Sequence, residues 1–141
     1  MPRADFYLID KPRFREQPLL LVCELAKRGY AANLAILVLA RDAAQAEALD
    51  DLLWSFDPDE YLPHQIVGTD EGEDDTPILI AAPDADTAAR PLLINLRDAA
   101  PTGAFERVLE VVPADPAARG PLRERWKHYL ALGFDVAKHD M

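Results

Sequence analysis

Apolar residues in this chain fall into short continuous runs that alternate with longer stretches of helical spacing. The first run, Ala4-Asp5-Phe6-Tyr7-Leu8-Ile9, is short and rich in large aromatic and aliphatic side chains. It stops at Asp10-Lys11-Pro12, which predicts a strand followed by a loop. Leu19, Leu20, Val22, Cys23, Leu25 and Ala26 then recur at helical spacing and end at Lys27-Arg28-Gly29, basic residues and a glycine suited to a helix C-terminus. Leu34 to Ala40 is uninterrupted apolar sequence, the pattern of a central strand covered on both faces. Asp42 with Gln45 three residues later makes a capping box, and Ala43, Ala46, Leu49, Leu52, Leu53 and Phe56 form one face of the helix that follows.

Asp57-Pro58 ends that helix. Tyr61-Leu62-Pro63-His64 leads into an acidic loop, Asp70-Glu71-Gly72-Glu73-Asp74-Asp75, closed by Pro77. Ile78-Leu79-Ile80, Leu92-Leu93-Ile94-Asn95-Leu96 and Val108-Leu109-Glu110-Val111-Val112 read as three more strands, with connections in places too short for full helices. The last element is a helix from about Pro116 to Leu132, open to interruption at Gly120-Pro121 and closed by Gly133. Alternating strands and helices with two-sided apolar strands predict an α/β fold on a mainly parallel sheet. With no repeat and no linker, residues 1–141 read as a single α/β domain.

Half of the 141 residues are hydrophobic, which excludes a disordered chain, and no apolar run reaches the roughly 18–20 residues that span a bilayer. The N-terminus, Met1-Pro2-Arg3-Ala4-Asp5, lacks a signal-peptide pattern, so the expectation is a cytoplasmic protein. Cys23 has no second cysteine to pair with and reads as a small buried hydrophobe. The net charge of -10 argues against direct phosphate binding, but its distribution is uneven. Twelve of the 25 acidic residues lie between Asp42 and Asp75, where there is no Lys or Arg, while the rest of the chain sets 15 basic residues against 13 acidic ones. Arg119, Arg123, Arg125 and Lys127 crowd near the C-terminus with only Glu124 among them.

Nucleotide chemistry lacks its usual parts. The stretch directly after Ile9, Asp-Lys-Pro-Arg-Phe-Arg-Glu-Gln-Pro, has no glycine, and neither G-x-G nor G-x-x-x-x-G-K-[ST] occurs anywhere. There is no G-x-S-x-G elbow and no C-x-x-C, and His64, His128 and His139 lack partners at zinc-motif spacing. No catalytic, cofactor-binding or metal residue is assigned. The acidic loop reads as a solvated charge run; its one sharper alternative is a divalent-ion site in a metal-dependent α/β hydrolase. His64 reads as a hydrogen-bonded turn histidine rather than a general base.

Two aromatic features stand outside this account. On the second long helix Trp54 points about 140° away from Leu49, off the apolar stripe. With Tyr61 beyond Asp57-Pro58 it either covers the helix end or anchors a partner. On the last helix Leu122, Trp126, Tyr129 and Leu130 share a face with Arg123 and Lys127 on its border. That is either a core helix whose basic residues reach out to water, or a pocket for an acidic, carboxylate-ended peptide.

The ordered combination of Phe6-Tyr7-Leu8, Gln45-Ala46, Leu49-Asp50 through Leu53-Trp54, Leu62-Pro63-His64, Leu93-Ile94-Asn95-Leu96-Arg97, Glu110-Val111-Val112-Pro113, Arg123 to Tyr129 and Gly133-Phe134 resembles the chi subunit of bacterial DNA polymerase III, the clamp-loader accessory protein. The resemblance runs from residue 6 to about 134. It implies a fold like mononucleotide-binding domains but without a phosphate loop, no cofactor, and a non-catalytic role in DNA replication. It also implies two protein partners. The psi subunit of the clamp loader, or a DinG-type helicase, would dock on the surface holding Trp54 and Tyr61. The C-terminal tail of single-stranded DNA-binding protein, acidic and ending in an apolar residue with a free carboxylate, would bind at Val112, Arg123, Trp126 and Lys127. Tyr61 stands where a phenylalanine is familiar and Trp126 where a tyrosine is; both keep an aromatic ring.

Overall fold

The structure, a computed structural model, describes residues 2–59, 61–68 and 75–141. The first strand, β1 (Arg3–Leu8), is followed by a five-residue helix α1 (Pro12–Glu16) and then by α2 (Pro18–Ala31). Two prolines set helix starts here, Pro12 and Pro18, where a missing N–H costs nothing. The loop expected from Asp10-Lys11-Pro12 onward therefore gives way to a short helix. The central apolar run gives β2 (Ile36–Leu39), buried at every position. The capping box opens α3 (Ala43–Ser55) as the pattern requires: Gln45 N donates to Asp42 Oδ1 at 2.7 Å, and Gln45 Oε1 accepts from Arg41 N at 2.7 Å.

The remaining elements are β3 (His64–Ile66), β4 (Ile78–Ala81), β5 (Leu92–Asn95), β6 (Arg107–Val112), a 3-10 turn (Pro116–Ala118), α4 (Arg119–Ala131) and β7 (Asp135–Asp140). Gly120-Pro121 does not interrupt α4, because both residues sit in its first turn, where Pro121 gives up no intrahelical bond. The acidic stretch Asp70–Asp74 lies outside the described residues; Asp75 is exposed.

All seven strands join one sheet in the order β3-β4-β2-β5-β6-β1-β7, and every pairing is parallel. This is an α/β fold with helices on both faces. Helices α1, α2 and α3 lie on one face, over a core that includes Leu21, Val22, Leu25, Ile36, Leu49, Ile78 and Ile94. Helix α4 lies on the other, where Tyr129 joins Phe6, Leu37, Leu93, Val108 and Val112. Helix α2 approaches the sheet closely at Gly29, where a Cβ would stand 2.7 Å from Ile36 Cδ1 and 2.9 Å from Leu92 Cδ2. The apolar strands β2, β4 and β5 have neighbours on both edges, whereas polar β7 closes one end of the sheet.

Candidate protein-interaction sites

The carboxyl ends of parallel strands are where nucleotides bind in folds of this kind. Here part of that edge is bridged by the protein's own chain, beside a small cleft lined by Ile9, Arg41, Leu96 and Pro113. The N–H groups of Asp10 and Lys11, which follow β1, both donate to the backbone oxygen of Met141, at 2.6 and 2.9 Å. Arg97, just beyond β5, donates through Nε to Ala40 O at 2.8 Å and through Nη2 to Ala81 O at 3.0 Å. Its guanidinium thus ties together the chain leaving β2 and the last residue of β4. Burial lowers its pKa from the ordinary arginine value. In the sequence, only the place of Arg97 directly after a buried strand hints at this role.

Helix α4 is seated by a second buried group, Glu110 on β6. Its carboxylate is fully buried, with Arg125 Nε 3.0 Å from Oε1, Tyr129 OH donating to Oε2 at 2.5 Å, and Asn95 Nδ2 donating at 3.0 Å. Arg125 also donates to Asp98 O at 2.8 Å. Burial pushes the Glu110 carboxyl up, while Arg125, Tyr129 and Asn95 pull it back toward the charged form. Burial and the adjoining carboxylate raise the Tyr129 hydroxyl. Arg125 therefore does not belong to a solvent-facing basic patch, and Leu130, expected on the apolar face, is 55% exposed. The legible signal was a lone Glu inside an apolar strand together with Arg and Tyr four residues apart on the last helix.

The arginines and lysine of α4 that do face outward are Arg119, Arg123 and Lys127, all exposed. Beside them Trp126 is half-buried, its ring 5.1 Å from Phe6. Val112 is only 4% exposed and lies in the apolar cluster on which Leu122 and Trp126 pack. The four residues of the expected tail site thus divide into two exposed cations, a half-buried aromatic and a buried aliphatic.

On the opposite face Trp54 is 59% exposed and Tyr61 56%. Their rings stack with centroids 5.2 Å apart and an interplanar angle of 26°. His64 meets the Trp54 ring edge-on at 5.0 Å. Its side chain is buried: Nδ1 donates to Leu62 O at 2.7 Å, and Nε2 lies 3.2 Å from both the backbone oxygen and Oδ1 of Asp50. His64 is thus a hydrogen-bonded support beneath an aromatic pair. Trp54 does not disappear into the core; it pairs with Tyr61, and both rings remain more than half exposed.

Elsewhere, Cys23 is fully buried and burial pushes its thiol up to about 12. A third buried charge, Asp5, collects Arg3 Nε and Arg107 Nε at 2.9 and 2.8 Å and His139 Nε2 at 2.9 Å. Burial alone would raise this carboxyl, but the hydrogen bonds from Arg3, His139 and Arg107 outweigh it and hold it at about 2. No helix among the described residues is long and apolar enough to cross a membrane.

These features define an α/β domain on an all-parallel seven-stranded sheet whose carboxyl edge is partly bridged by its own chain. A DEAD box protein from the hyperthermophile Methanococcus jannaschii shares the fold, with a TM-score of 0.56 at 13% identity over 98% of this chain and 41% of that one. The family described as DNA polymerase III chi subunit, HolC, matches residues 1–137. DNA polymerase III subunit chi of Pseudomonas aeruginosa is 32% identical over 143 residues, covering 99% of this chain and 96% of that protein. The Escherichia coli subunit chi is 32% identical over 146 residues, covering 96% of each. The chain belongs to the DNA polymerase III chi subunit family, and its role is that of a replication accessory subunit.

Proposed function

We propose that this protein is a non-catalytic adaptor that links the clamp loader, through the psi subunit, to DNA coated by single-stranded DNA-binding protein. The observation that carries the reading is the separation of two chemically opposite surfaces. The Trp54–Tyr61 pair sits by β3 at one end of the sheet, on the α3 face, and the cations of α4 sit toward β7 at the other end, on the opposite face. At about 4.8 Å per strand the two edges are roughly 29 Å apart, so both partners can be held at once. The psi subunit, or a DinG-type helicase, docks on Trp54 and Tyr61. The acidic tail lies against α4, with its terminal apolar side chain on Trp126 above Val112 and its carboxylate held by Arg123 and Lys127.

Arg123→Ala tests the tail site, since the side chain is exposed and its loss leaves the core intact. Tail-peptide affinity measured by calorimetry should fall by about 1.5–3 kcal/mol, the contribution of a charge-assisted hydrogen bond. A peptide with an amidated C-terminus should bind the native protein comparably weakly, and the remaining affinity should drop with salt. Unchanged affinity for the free-carboxylate peptide in the Arg123→Ala protein overturns the assignment.

A further inference from the structure

An exposed aromatic pair alone does not say what covers it, but the charges around this one do. On α3, Glu47, Asp51 and Trp54 are all exposed and follow one another at spacings of four and three residues, which places them on one ridge. Ala46, Leu49 and Leu53 are buried on the other side of the helix. Like charges at i and i+4 weaken an isolated helix, and nothing nearby offsets them. The chain has no Lys or Arg from Asp42 to Asp75, and among the described residues Glu47 and Asp51 have no ion-pair partner. Lys27 on α2 is 2.5 Å from Asp57. Asp50, on the same side of the helix, is directed to His64.

We infer that this surface receives a basic segment of its partner, with an arginine over the Trp54–Tyr61 stack and further Lys or Arg residues on Glu47 and Asp51. This rests on the reading of Trp54 and Tyr61 as the docking surface for the psi subunit. A purely apolar occupant would cover the rings but leave the neighbouring carboxylates poorly solvated and without a counter-charge. A guanidinium meets both demands, since it stacks on an aromatic face and forks onto a carboxylate. The His64 anchor fixes the platform beforehand, so little order has to be gained on binding. The same carboxylates repel an acidic tail. The two ends of the protein therefore sort their partners by charge, the α3 ridge taking the basic one and α4 the acidic one.

The experiment is calorimetric titration of the purified cognate psi subunit into the native protein, Trp54→Ala and the double variant Glu47→Lys/Asp51→Lys, at low and high salt. Affinity in the double variant should fall at least about tenfold at low salt, and the difference from native should shrink as salt rises. Binding of the acidic tail peptide to the same variant should not weaken, which also verifies that it is folded. If Trp54→Ala loses the psi subunit while the double variant binds within about twofold of native with a flat salt dependence, the basic-segment proposal is wrong and the docking surface stands. If Trp54→Ala binds as well as native, the docking surface itself is wrong.

Discussion

The buried pair Glu110–Arg125 gives the sharpest quantitative test of how this fold holds α4. Changing Arg125 to Met keeps much of the side-chain volume and removes the cation. The Glu110 carboxylate then stays fully buried with only Tyr129 OH and Asn95 Nδ2 as donors, and Asp98 O loses its bond at 2.8 Å. Removing one partner of a buried ion pair costs about 3–5 kcal/mol, which for a chain of this length is a fall in Tm on the order of 10–20 °C. The sign of the pH dependence follows from the same geometry. Burial already raises the Glu110 carboxyl, and Arg125 is the first of the groups opposing that rise. In the variant the folded-state pKa therefore climbs further above the unfolded value. A folded state that holds its proton more tightly gains stability as pH falls and loses it as pH rises through the folded pKa. Urea denaturation followed by circular dichroism should show the full deficit at about pH 8 and a smaller one at about pH 5. The double variant Glu110→Leu/Arg125→Met should recover much of the loss, because no buried charge is left unpaired. A single-variant deficit below about 1 kcal/mol, or one that is the same at both pH values, would mean that Arg125 does not compensate the buried Glu110 charge.

Two further outcomes are expected. Asp5, held down at about 2 against an ordinary 3.8, adds stability that is present above the ordinary value and lost as pH falls through that window. Thermal melts of the native protein should thus decline more steeply in that interval than those of Asp5→Asn, and parallel declines would remove Asp5 from the acid response. At Gly29, a Cβ would press on Ile36 and Leu92, both buried, so Gly29→Ala should destabilise by about 1–2 kcal/mol despite alanine's better helix propensity. A more stable variant in chemical denaturation would show that the α2–sheet contact has room to spare.

Elements whose burial is two-sided, or whose ends carry specific chemistry, are legible from residue order alone. Leu34 to Ala40, Ile78 to Ile80 and Leu92 to Ile94 are apolar at consecutive positions, a pattern that suits a parallel strand covered on both faces. Asp42 and Gln45 announce the start of α3 in side-chain chemistry alone. The family resemblance was legible as well, because its motifs are spread in order along most of the chain, and the comparisons establish it. Strand β7, Asp-Val-Ala-Lys-His-Asp, carries almost no apolar signal; it exists because β1 offers it an unpaired edge. Helix α1 and three-residue β3 are likewise too short for periodicity to reveal.

Tertiary structure alone decided which of the charged residues near the C-terminus face solvent. Arg123, Arg125 and Lys127 are near neighbours in sequence, yet helical rotation turns Arg125 onto Glu110 and leaves the other two outside. It also decided that Trp54 is exposed and stacked on Tyr61, a contact across the turn at Asp57-Pro58 that spacing on one helix leaves open. Periodicity says which way a side chain points from its own helix. What it meets there depends on chain distant in sequence, and only the folded sheet brings that chain into place.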